Sequence, residues 1–119
     1  MIEIYNLTAH QEWDDVVRSF ADYDVYYLSG YVRAFYVHGD GEPQLLYYTS
    51  KQLRAIYVYM KRPTIITNVF DSTTPYGYGG VLFEGTLTEE ALTNFWNEYE
   101  QKMNDENIID NFVRYHPVL

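Results

Sequence analysis

The sequence predicts a mixed α/β fold of the α+β kind, with two amino-terminal helices, a largely antiparallel mixed sheet and one crossover helix leading to a last strand. A single domain is expected to span residues 1–119. Three observations carry this expectation. Apolar residues recur at helical spacing in two early stretches, Trp13 to Phe20 and Leu28 to Phe35. Between Gln44 and Phe70 they gather in runs rich in Tyr, Val and Ile, side chains that suit a pleated and partly buried surface. From Glu89 to Asn104 the helical spacing returns in its clearest form.

Taken in order, Thr8 with Gln11 three residues later has the form of a capping box. Trp13, Val16, Val17 and Phe20 then line one face, which predicts a helix near residues 9–21. Ser29 is placed to cap a second helix carrying Leu28, Tyr31, Val32 and Phe35, stopped by Gly39-Asp40-Gly41. Gln44 to Thr49 and Leu53 to Lys61, separated by Thr49-Ser50-Lys51-Gln52, read as a β-hairpin. In its second arm Ile56, Val58 and Met60 alternate with Ala55, Tyr57 and Tyr59, so both faces are apolar and the strand belongs inside the sheet. Thr64 to Phe70 is expected as a third strand, opened by Pro63. Leu92, Phe95, Trp96, Tyr99 and Met103 form the stripe of the crossover helix, with Thr88 as its cap and Leu87 stapled onto Leu92. Ile108 to Tyr115 then returns as a strand, which a crossover helix delivers parallel to an earlier one. Such a terminal strand presents an edge, so a homodimer or a missing carboxyl-terminal continuation is expected to cover it.

Composition narrows the partners. The formal net charge is -9 and the sequence pI is about 4.5, so the field of the whole chain repels phosphate backbones, and DNA is not expected as a partner. Lys51, Arg54, Lys61 and Arg62 lie in the middle of the chain, whereas eight acids stand against Lys102 between Glu84 and Asp110. Cysteine is absent, which removes disulfides and thiolate metal sites and suits a reducing, cytoplasmic setting. There is no apolar run of membrane-spanning length, and no basic region followed by an apolar stretch at the amino terminus. Fourteen tyrosines supply large apolar area with a polar tip, suited equally to cores, interfaces and platforms for sugars or peptides.

The segment Asp71-Ser72-Thr73-Thr74-Pro75-Tyr76-Gly77-Tyr78-Gly79-Gly80 is a poor strand and a worse helix, and reads as a loop. Tyr76 and Tyr78 are two apart, so in an extended stretch their rings share a side. They suit either a ligand-facing rim or plugs at the edge of the core. Asp71 is placed either to orient an amine or to bond the backbone of its own turn. His116, beside Arg114, has the ordinary imidazole pKa of about 6.5 that suits acid/base work near neutrality, and equally suits a surface position. His10, His38 and His116 lack metal-ligand spacing, and no Ser-His-Asp or Cys-His order is present.

The loop just quoted, together with Phe112-Val113-Arg114-Tyr115-His116-Pro117 and the stretch from Tyr23 to Gly30 followed by Tyr31, resembles the amino-terminal half of GNAT-superfamily acyltransferases of the Fem-like type. That family is associated with peptidoglycan bridge formation and bacterial polysaccharide biosynthesis. The resemblance implies a GNAT-like sheet, truncated on its carboxyl-terminal side, and transfer of an acyl or aminoacyl group to the amine of an amino sugar or peptidoglycan-type precursor. It implies acyl-CoA or aminoacyl-tRNA as donor, and substrate contacts from Asp71, Tyr76, Tyr78, Gly79, Arg114 and His116.

Family members continue past the Arg-Tyr-His-Pro segment into a second half, whereas this sequence stops at Leu119, so the half present is not expected to be catalytic alone. The start of the crossover helix, where such enzymes hold a donor diphosphate, carries Glu89 and Glu90 in place of a glycine-rich motif. A non-catalytic binding or homodimerisation module is the alternative.

Overall fold

The computed structural model describes residues 1–37, 41–64, 66, 68–73 and 80–109. Along the chain run β1 (Ile2–Asn6), a 3-10 turn (Leu7–Ala9), α1 (His10–Arg18), a second 3-10 turn (Val25–Tyr27) and α2 (Ser29–Val37). These are followed by β2 (Glu42–Thr49), β3 (Leu53–Pro63), β4 (Phe70–Thr73), β5 (Leu82–Gly85), α3 (Glu89–Asp105) and β6 (Ile108–Ile109). The sheet order is β1-β2-β3-β4-β6, with β5 also on β3. Every described pairing is antiparallel except that of β4 with β6, which is parallel. Largely antiparallel pairing, two early helices and a crossover helix are as the sequence predicts.

β3 organises the molecule because both of its faces are apolar. Ala55, Tyr57 and Tyr59 join Leu46, Tyr48, Phe95, Tyr99 and Met103 in a core beneath α3. Ile56, Val58 and Met60 join Trp13, Val17, Phe20, Val32 and Leu45 in a second core beneath α1 and α2. Three layers result, with the sheet in the middle. The aromatic packing under α3 is mostly edge-to-face, with Phe95 against Tyr48 at 5.1 Å, Phe83 at 5.2 Å and Trp96 at 4.8 Å between ring centroids.

Side-chain bonds fix the helix ends. The Asp14 carboxylate accepts from both Ser29 N and Ser29 Oγ at 2.8 Å, so a residue of α1 caps α2. Thr88 Oγ1 accepts from Ala91 N at 3.1 Å, as its position predicts. Asn107, at φ 58, turns the chain out of α3 and presents its carbonyl to Phe70 N at 2.9 Å, which seats β6 beside β4.

Four local expectations are corrected. The amino-terminal cap is Asn6, whose Oδ1 accepts from Thr8 N, so Thr8 lies inside a 3-10 turn and α1 starts at His10 without a side-chain cap. Residues 2–6 form a strand that their short run did not announce. The third strand is Phe70–Thr73, so Asp71, Ser72 and Thr73 of the expected loop are strand residues paired with β3, whereas Thr64 donates through N and Oγ1 to the Val69 carbonyl and Asn68 sits at φ 64, so the expected strand from Thr64 is a turn up to Val69. Leu87 is 46% exposed, so the expected staple onto Leu92 does not bury it. The stop at Gly39-Asp40, the side chain of Phe35 and the continuation of the last strand to Tyr115 lie outside what is described. No described helix is long and apolar enough to cross a membrane.

Candidate functional site

One long strand, β3, carries two partners on the same edge. Residues 60–63 pair with β4 and residues 53–56 pair with β5, and both pairings run antiparallel to β3. Three residues of β3, 57–59, separate these ladders, while the chain between Thr73 and Leu82 runs through eight. The glycine-rich segment, an excursion in sequence between two strands, therefore has both of its flanks pinned to one template.

The excursion leaves at the carboxyl end of β4. Beside it lies the carboxyl end of β6, with Phe70 opposite Ile108 and Asp71 opposite Ile109. Thus residues 74–79 and residues 110–119 are both entered from neighbouring parallel strand ends that point the same way. In open α/β sheets ligands bind outside the carboxyl ends of parallel strands where the strand order reverses, and β4 with β6 is the one parallel pairing among the described strands. Of the six expected substrate contacts, Asp71 is placed here, opposite Arg62 on one side and Ile109 on the other. Tyr76, Tyr78, Gly79, Arg114 and His116 lie outside the described residues.

The return of the excursion is anchored from the layer of α1 and α2. Gly80 is buried at φ 107, a conformation that favours glycine, and Val81 packs into the core under α3. Tyr27 Oη donates to the Gly80 carbonyl at 3.3 Å, and Trp13 Nε1 donates to the Tyr27 carbonyl at 2.7 Å. Burial, followed by the nearby Asp24 carboxylate, holds the Tyr27 hydroxyl above its ordinary pKa, so it remains a donor. Asp24 Oδ1 accepts from Tyr26 N and shapes the turn, and Tyr26 meets Tyr31 edge-to-face at 4.9 Å. Tyr23 and Val25 are exposed on the same connection. Among these residues Tyr27 is the one that spacing and patterning missed. Its signal was the tyrosine density between the two helices, which has no periodicity to flag it.

The start of α3 carries its own cap. Thr88 bonds Ala91 N, and Glu89 and Glu90 fill the first turn with negative charge, so this helix end suits a phosphate group poorly. Among the described residues no group of three His, Asp or Glu side chains is arranged to hold a metal ion. No family model, no curated protein and no solved structure matches this chain.

Proposed function

We propose that this chain is the amino-terminal, GNAT-like half of a Fem-like acyltransferase, which serves to hold the amine acceptor during transfer of an acyl or aminoacyl group. The single observation that supports this reading is the pairing of β4 with β6. The segment 71–80, which resembles the family, begins within β4 at Asp71 and runs past its carboxyl end, and the segment 112–117 comes after β6, the strand parallel to β4 and reached through α3. The third segment, from Tyr23 to Tyr31, is bonded through Tyr27 to the carbonyl of Gly80, the last residue of the first segment. In this reading Asp71, Tyr76, Tyr78, Gly79, Arg114 and His116 line the acceptor rim, and the acceptor is an amino sugar or a peptidoglycan-type precursor. The donor, acyl-CoA or aminoacyl-tRNA, is held with the help of a second half, because the start of α3 is occupied by its own cap and two carboxylates.

Calorimetric titration of the chain with glucosamine and with a lysine-containing muramyl pentapeptide tests the assignment. The expected result is saturable binding of one of them that Tyr76→Ala/Tyr78→Ala abolishes while the urea midpoint stays unchanged. Equal binding by the double variant defeats the reading.

A second reading rests on β1, which pairs with β2 alone among the described strands and so leaves an edge for a second copy. Sedimentation over a hundred-fold concentration range separates the two: a strict monomer argues against the homodimerisation module.

A further inference from the structure

At the far side of the sheet from β4 and β6, where β1 ends and β2 begins, lies a groove of about 630 Å³. That volume falls within the range of small-molecule sites. Leu7 and Pro43 are its apolar lining, and Asn6, Thr8, His10, Arg33 and Glu42 its polar lining. Asn6 Oδ1 is engaged by Thr8, through N at 3.0 Å and through Oγ1. Among the described residues, the Arg33 guanidinium and the Glu42 carboxylate have neither an ion-pair nor a hydrogen-bond partner.

From this groove we infer a binding site for a small zwitterion of the amino-acid class, with an apolar side chain. The chemistry follows from the lining. Arg33 offers a planar fork of donors that matches a carboxylate, and Glu42 accepts from an ammonium group. Leu7 and Pro43 offer the ligand's side chain an apolar bed. Net charge selects among ligands. A chain of net charge -9 repels a free anion, and Arg33 and Glu42 together bring no net charge to the groove. A dipolar molecule without net charge meets no such repulsion, and finds both of its ends matched. The site is separate from the rim assigned above and does not depend on that assignment.

Backbone amide NMR titration of the intact chain with L-leucine tests the inference, with isovalerate and isoamylamine as probes that keep the side chain and remove one charge each. Saturable shifts at Leu7, Thr8, His10 and Arg33 with L-leucine are expected, at least ten-fold weaker with either single-charge probe. Arg33→Gln and Glu42→Gln should each weaken L-leucine binding at least ten-fold with unchanged spectra in the cores. Both side chains are exposed, so both variants fold. Absence of saturable shifts, equal binding of isovalerate, or unchanged affinity in both variants overturns the proposal.

Discussion

Glu84 shows how single residues tie the layers together. Its carboxylate accepts from Ala21 N at 2.9 Å and from Arg54 Nε at 3.0 Å, while Arg54 also donates to Ser19 and lies 4.0 Å from the Phe20 ring centroid. Sheet and end of α1 are thereby clamped at one point. The bond from Ala21 N and then that from Arg54 hold the Glu84 carboxyl below its ordinary value. A depressed folded-state pKa contributes stability that is present above the unfolded value and is lost as pH falls through the folded one. Urea midpoints measured from pH 6 down to pH 3 should therefore fall more steeply for the native chain than for Glu84→Gln. Parallel curves would show that the clamp is screened out by solvent. Asp14→Ala should cost about 1 kcal/mol in the same assay, the usual worth of a lost helix cap. Gly85 sits at φ 120, where an added Cβ would lie 2.6 Å from the Gln52 carbonyl oxygen. Gly85→Ala should accordingly destabilise by about 1–3 kcal/mol.

At the scale of elements, legibility followed periodicity. α3 could be read almost to the residue, because Leu92, Phe95, Tyr99 and Met103 are a long run of helical spacing and all four are buried. β3 was equally legible, since its alternation divides two cores. Short elements were not. Ile2–Asn6 and Leu82–Gly85 offer only a few alternating positions, too few to distinguish a strand from a loop, and their pairing is dictated by β2 and β3. The turn at 64–69 was hidden for a different reason: Ile66 and Val69 imitate a strand, while the bonds of Thr64 and the positive φ of Asn68 decide otherwise. At the candidate site, the sequence named the excursion but not its anchor, because the bond from Tyr27 to Gly80 spans 53 positions and leaves no local trace. Phe95→Ala should remove about 3–5 kcal/mol from the unfolding free energy, since one ring joins β2, β5 and α3. Tyr27→Phe, which removes the bond to Gly80, should cost about 0.5–1.5 kcal/mol in urea unfolding.

For the molecule as a whole, the central strand is the common wall of two cores, so the layers should melt together. Hydrogen exchange is expected to show the slowest amides in β2 and β3 and a single cooperative unfolding event. Separate protection of the α3 side and the α1/α2 side would contradict that picture. The arrangement of β4 and β5 on β3 has a further consequence. Because one strand dictates the alignment of both β4 and β5, the register of the frame does not depend on how many residues join Thr73 to Gly80. Lengthening or shortening the chain between 74 and 79 should therefore leave the scaffold in step, provided that Gly80 and Val81 keep their buried places.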